Sequence, residues 1–195
     1  MAPAPERILD AAAAIMRRDG LTRATTKQIA REAGCSEALL YKHFPDKREI
    51  FLRVLTERSP RLDVAHDLPG TGTVVDNLER LVANLLDFYG QNFPIAASIF
   101  SSTELLNAHR EAMTERGVGP HAPSQLVAHY LDQEVQLDRM PALDTDAIAR
   151  LLTGAALHEA FLATYAGEPV RDVPALARRL VAALGLHPRR EGQVP

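Results

Sequence analysis

Among 195 residues the chain has one cysteine, no tryptophan and only three lysines. A single thiol, Cys35, cannot form an intrachain disulfide and gives no sign of an oxidising compartment. Aromatic side chains make up 5% of the chain, so its core must be built mainly from leucine, alanine, valine and isoleucine. That palette favours packed helices over strands, which enrich β-branched and aromatic residues. No stretch alternates with period two, and no sheet is expected. No apolar run reaches the roughly 18 residues that spanning a bilayer requires. Glu6, Arg7 and Asp10 interrupt the first twenty residues, so a secretory signal is not expected either. A cytoplasmic protein is the resulting expectation.

Chemistry is missing too. No HxxxH, HExxH or CxxC spacing occurs, which leaves a metal site within one local motif without support. Gly70-x-Gly72 lacks the third glycine and the preceding strand of a dinucleotide site. Ser98, Ser101 and Ser102 lie in a helical pattern without a nucleophile elbow. The expectation is no enzyme, no cofactor and no metal.

What the chain does have is an uneven distribution of charge. Residues 1–60 carry 11 basic and 8 acidic side chains; residues 61–195 carry 11 and 17. A basic head on an acidic body is the split expected when only the head touches phosphate. All three lysines, Lys27, Lys42 and Lys47, fall between Thr25 and Lys47, in TTKQIAREAGCSEALLYKHFPDK. Three long side chains on a surface need no function by themselves, but this segment also has helix–turn–helix punctuation. Thr25 and Gln28 have capping-box spacing, Gly34 offers a turn at positive φ, and Ser36 can cap a second short helix. Ile29, Ala30 and Ala33 form one inner face, Leu40 and Phe44 the other.

Around this segment the periodicity is helical throughout. A first amphipathic helix is predicted from Pro5 to Asp19. Asp46 and Glu49 open a further helix that Pro60 should kink or end. Loops are expected over 67–73 and 117–123. A helix of about four turns follows Val74, and another is predicted to start at Pro94 and run to about Glu115. Later helices carry Leu126 to Val135, begin after Asp144, and begin after Asp172.

The run Leu40-Tyr41-x-His43-Phe44 with Lys47, after Ala33-Gly34 and preceded by Thr25-Thr26 and Ile29-Ala30, resembles the DNA-binding head of the TetR (tetracycline-repressor) family. The resemblance covers about residues 7–55; beyond them only length and the run of helices are shared. It implies an all-α fold of about nine helices. A three-helix helix–turn–helix head (1–50) would precede a helical ligand-binding and dimerisation domain (51–187); the tail (188–195) is by its own sequence expected to be mobile. The resemblance also implies a homodimer. The chain departs from the family pattern at Ala38 and Leu39, where glycine and threonine are usual, and at Cys35, usually valine.

A unit of this kind lays its second helix in the major groove while the first crosses the backbone. Thr26, Lys27, Ser36, Glu37, Ala38, Leu39, Tyr41, Lys42, His43 and Lys47 are the DNA-binding candidates. Lys42 can reach a guanine edge or a phosphate, and Ala38 and Leu39 a thymine methyl. Tyr41, His43, Thr26 and Lys27 are phosphate donors, and Lys47 is a backbone clamp. Glu37 is either a reader of cytosine or a solvated bystander. Cys35 reads as a small buried hydrophobe rather than a redox sensor.

In the body, Phe88, Phe93, Phe100, His109, Tyr130, His158, Phe161 and Tyr165 are candidates for a ligand cavity, with core filling as the competing role for at least half. Gly154 and Ala155, with the stripe Leu176–Leu180–Leu184, suggest a bundle of the last two helices from each of two subunits. The combined expectation is a transcription regulator. It would most simply be a repressor released from a pseudo-palindromic operator by a small apolar or amphipathic ligand. The rival is a ligand-binding or protein-interaction module whose head has lost specific DNA binding.

Overall fold

The computed structural model describes residues 2–20, 23–58, 62, 68–100 and 102–186. Among them are nine helices and no strand: α1 (Ala4–Asp19), α2 (Thr26–Glu32), α3 (Glu37–His43), α4 (Lys47–Glu57), α5 (Val74–Ile99), α6 (Thr103–Glu115), α7 (Ala122–Gln136), α8 (Thr145–Ala166) and α9 (Val173–Ala182). The expected tail at 188–195 and Pro60 lie outside the described residues. The chain divides into two compact units, residues 1–60 with 91–119 and residues 61–90 with 120–195.

In the first unit, α1 supplies Ile8, Leu9, Ile15 and Met16 to a core shared with Ile29 of α2, Leu40 of α3, and Ile50 and Val54 of α4. Ile95 and Ile99 from the end of α5 join the same core. Arginines close the helix ends. Arg58, just past α4, pairs with Glu6 and Asp10 of α1, and Arg17 donates to the Arg58 carbonyl at 2.8 Å. Arg48 of α4 pairs with Glu104 of α6, and Arg116 donates to the Thr56 carbonyl at 2.5 Å. The α4 helix is thus tied near both of its ends to α6 and at its end to α1.

In the second unit the core is Leu78, Leu81 and Leu85 of α5, Leu131 of α7, Leu152 and Ala156 of α8, and Val181 of α9. Asp144 and Asp172 cap α8 and α9, accepting from the amides of Ala147 at 2.9 Å and Ala175 at 3.2 Å.

Two expectations need correction. The helix predicted to start at Pro94 is instead the continuation of α5, and Pro94 lies inside it. Proline removes one backbone donor and crowds the carbonyl four residues earlier. That earlier residue is Gly90, and burial of Ile95 and Ile99 holds the helix together past the break. The true start of α6 is set by Ser102, whose hydroxyl accepts from the Leu105 amide at 3.3 Å. Similarly, the loop expected to reach Pro123 ends earlier, because Pro123 fits the first turn of α7, where its missing donor has no helical acceptor.

A buried polar knot in the second unit has no counterpart among the sequence expectations. Glu134 of α7 is fully buried, and its carboxylate lies 3.1 Å from Arg139 Nε and accepts from the Gly70 amide at 3.3 Å. Arg139 also donates to the carbonyls of Thr71 (3.1 Å) and Gly72 (2.5 Å). Asn77, itself buried, donates to the carbonyls of Leu68 and Thr71 at 3.1 and 2.7 Å. Together these bonds replace the water that loop 68–73 would otherwise need. Removing one partner of a buried ion pair strands the other charge, at a cost of about 3–5 kcal/mol. Arg139→Ala should therefore lower the thermal midpoint by roughly 10 °C. A circular-dichroism melt unchanged within error would show that the knot carries no stability.

Candidate nucleic-acid interface

The α2–α3 unit is built from short-range rules. Thr25 Oγ1 accepts from the Gln28 amide at 3.2 Å, and Gln28 Oε1 accepts from the Thr25 amide at 3.1 Å, completing the capping box. At the other end of α2, Gly34 takes φ +65°. The Gly34 amide then donates to Arg31 O (3.2 Å) and the Cys35 amide to Ala30 O (2.9 Å), the paired bonds of a Schellman stop. Arg7 of α1 donates to the Ala33 carbonyl at 3.0 Å and pins the same turn. Ser36 Oγ then accepts from the Leu39 amide at 3.2 Å and starts α3.

Helical spacing divides α3 into four strips. Leu40 and Phe44 are fully buried in the first core. Opposite them stand Ala38 and Lys42, both exposed. Glu37 and Tyr41 form one flank, and Leu39 and His43 the other. Tyr41 is half exposed, and its hydroxyl donates to Thr26 Oγ1 at 3.3 Å, so the Glu37–Tyr41 flank is the one beside α2. A shallow groove there is lined by Lys27, Gln28, Arg31, Cys35 and Glu37, among others.

Of the ten candidate DNA contacts, Lys27, Ser36, Glu37, Ala38, Tyr41, Lys42 and His43 are exposed, and Thr26 and Leu39 are half-buried. Lys47 is half-buried, its ammonium 4.8 Å from the centre of the Phe51 ring, and burial lowers its pKa below the usual lysine range. Cys35 is half-buried and packs against the first core. Sequence reasoning passed over Arg23 and Arg31, exposed on the same segment as Lys27; their clustering with the lysines was the available signal.

The body candidates are dispersed. Tyr130 is buried in the second core, where burial pushes its phenol pKa up. Phe88 and Tyr89 pack edge to face with ring centres 5.1 Å apart. Phe93 is half-buried. His109 is half-buried with an unpartnered Nδ1, and burial lowers its pKa. Phe100, His158, Phe161 and Tyr165 face solvent, Tyr165 at 85% exposure. Aromatic size is a poor guide on α8, whose buried face is Ala149, Leu152, Thr153, Ala156 and Ala160. Among the dimer candidates, Gly154 is exposed with open space over its Cα, Ala155 is half-buried, and Leu176, Leu180 and Leu184 lean on the second core. Among the described residues no group of three or more His, Cys, Asp or Glu is placed to hold a metal, and no helix is long and apolar enough to cross a membrane.

A left-handed alanine costs about 1–2 kcal/mol. No atom lies within 4 Å of the site a Gly34 Cβ would take, so that cost is conformational alone. Gly34→Ala should lower the melting midpoint by roughly 2–8 °C. A midpoint equal to that of the unsubstituted chain would mean the turn does not depend on positive φ.

Residues 8–54 match the family model described as bacterial regulatory proteins, tetR family. The nucleoid occlusion factor SlmA of Marinomonas sp. is 33% identical over 88 residues, which are 44% of this chain and 45% of that protein. The HTH-type transcriptional repressor SCO4008 of Streptomyces coelicolor is 31% identical over 94 residues, 48% of this chain and 46% of that one. The chain thus spans less than half the length of these curated relatives. Solved structures extend the likeness of fold to most of the chain. A TetR transcriptional regulator from Agrobacterium tumefaciens superposes with a TM-score of 0.69 at 21% identity, covering 93% of this chain and 92% of that one. FadR of Bacillus subtilis, in complex with stearoyl-CoA, gives 0.64 at 17% identity, covering 93% and 99%. Residues 8–54 thus carry the head of the TetR family of bacterial regulatory proteins, and the all-helical fold beyond them is the one seen in solved structures of TetR regulators.

Proposed function

We propose that this protein is a homodimeric, sequence-specific DNA-binding transcription regulator, most simply a repressor, whose affinity for a pseudo-palindromic operator is lowered by a small ligand. The observation that carries this reading is α3. Its Ala38–Lys42 strip points away from the core while a hydrogen-bonded turn and the buried Leu40 and Phe44 fix its direction. An outward helix of that kind enters a major groove, with Lys42 reaching a guanine edge and Ala38 available to a thymine methyl. Lys27, Arg31 and His43 flank it as phosphate donors.

One copy reads half a palindrome. Support for a second copy comes from α8. Ala147, Leu151, Gly154, His158, Phe161 and Tyr165 recur at alternating spacings of four and three on the face opposite its buried side. That is the spacing of a helix–helix seam. The rings of His158, Phe161 and Tyr165 stack along it with centres 6.5 and 6.2 Å apart. A solvent-facing stripe this apolar favours a partner of the same kind.

The ligand reading rests on family and on packing within the first unit. Because α4 is tied to α6 through Arg48–Glu104 and Arg116–Thr56, a displacement of α6 is passed to α4 and from there to the head. A coupling of about 1–3 kcal/mol would change operator affinity roughly 5- to 150-fold. FadR, which shares the fold, is solved with stearoyl-CoA. An apolar or amphipathic effector is the class we assign here on that likeness and on the scarcity of charge among the candidate body residues.

Gel shift against the chain's own promoter region is the direct test. Specific binding should exceed binding to random duplex by about 10³ or more. Failure to bind any palindromic segment at low salt would favour the rival, a helical ligand or protein-interaction module without specific DNA binding. Lys42→Ala should weaken operator binding about tenfold or more; undiminished affinity and sequence preference would remove it from the reader set. Phe161→Asp, on the open face of α8, should convert a dimer to a monomer in light scattering and abolish cooperative operator binding. A dimer that survives it would move the interface elsewhere.

A further inference from the structure

The acidic side chains of the head are nearly all occupied. Asp19 and Glu32 pair with Arg18, at 3.0 and 3.4 Å. Glu6 and Asp10 pair with Arg58, Glu57 pairs with Arg53, and Asp46 caps α4. Among the described residues, Glu37 is the one exposed acid of this region with neither an arginine nor a cap. It is also the first residue of α3, the end that a reading helix presents to base edges. Lys27 and Arg31 line the same groove, yet neither forms an ion pair with it among the described residues.

A free carboxylate at that place is not neutral in effect. It accepts hydrogen bonds and donates none, and it lies where phosphates would approach α2. In the major groove, guanine shows only acceptors on its outer edge, and thymine shows an acceptor and a methyl. Both are poor neighbours for it. Adenine offers its amine beside the N7 acceptor, which repels the second carboxylate oxygen. Cytosine alone offers an amine without a competing acceptor.

We propose that Glu37 makes the operator half-site cytosine-dependent. Its carboxylate accepts from the cytosine exocyclic amine at one step of each half-site and withholds affinity from duplexes lacking it. This rests on the regulator reading and adds the base and the residue that selects it. Specificity here comes as much from exclusion as from attraction.

The test is selection from a duplex library with randomised half-sites, using the full-length protein, followed by anisotropy titrations of single-base variants. The unsubstituted protein should select one fixed cytosine per half-site, and replacing it by thymine or adenine should cost about tenfold or more. Glutamine carries both a donor and an acceptor and pairs bidentately with adenine. Glu37→Gln should therefore move the preference at that step from cytosine to adenine. Glu37→Ala should erase the preference there while tightening binding to random duplex. Because Glu37 is exposed and unpaired, both variants should melt with the unsubstituted protein, which checks folding. Two results overturn the proposal: an operator with no preferred cytosine, or a Glu37→Gln variant that keeps the original preference. If both variants bind every duplex more tightly with unchanged base preferences, Glu37 acts only on phosphate, and the cytosine assignment is wrong. These outcomes leave the regulator reading standing. Only failure of the unsubstituted protein to select any duplex removes that reading, and this proposal with it.

Discussion

The left-handed turn at Gly34 is the constraint on which the reading helix depends. With φ at +65°, two backbone bonds close α2 and release the chain into Ser36, which caps α3 one residue later. No rotamer choice further along can redirect α3 once that turn is set. Leu40 and Phe44 are then fixed toward the core, and Ala38 and Lys42 away from it, as a matter of helical geometry. Ala30, nearly fully buried, keeps the inner face of α2 small beside this turn. Arg7 holds the turn from α1, so the first helix helps fix the start of α3.

The division of labour between arginine and lysine follows from their shapes. Arginine's planar fork satisfies carbonyls and carboxylates together, and the structure uses it so: Arg7, Arg17, Arg58 and Arg116 on carbonyls or acids at helix ends, Arg139 in the buried knot. Lysine is a point charge on a flexible stem, better kept for a ligand not yet present. The clustering of all three lysines is therefore informative, but they are not equivalent. Lys27 and Lys42 are exposed; Lys47 is held over Phe51, where part of its charge is already engaged by the ring.

What was legible in the sequence was what is decided within one turn of chain. Thr25 with Gln28, Ser36, Asp46, Asp144 and Asp172 each act over three residues, and each cap forms. The α5 helix was misread because the cost of Pro94 is local while its remedy, burial of Ile95 and Ile99 in the first core, is not. His158, Phe161 and Tyr165 of α8, candidates for a cavity, face solvent, because Ala149, Leu152, Thr153, Ala156 and Ala160 take the buried face of that helix. Glu134 and Arg139 escaped notice because they are five residues apart across a helix end, outside the usual i, i+4 rule. Yet Glu134 falls seven residues after Val127, on the helical face that Val127, Tyr130 and Leu131 bury, and that spacing was the available signal of a buried charge.

Two surfaces of the chain are unfinished in the same sense. The Ala38–Lys42 strip of α3 is a polar–apolar mixture too small to bind a unique site alone, since each base contact is worth only about 1–3 kcal/mol. The α8 stripe from Leu151 to Tyr165 is apolar and open. In the proposed dimer a second copy would complete both at once, covering the stripe and supplying the second strip. Doubling the contacts squares their discrimination, because free energies from two half-sites add when the halves are rigidly joined. The weak vocabulary of α3 is then no defect. Under the proposed function, a reader with few strong contacts would stay near the threshold of binding, where a ligand coupling of a few kcal/mol is enough to decide occupancy.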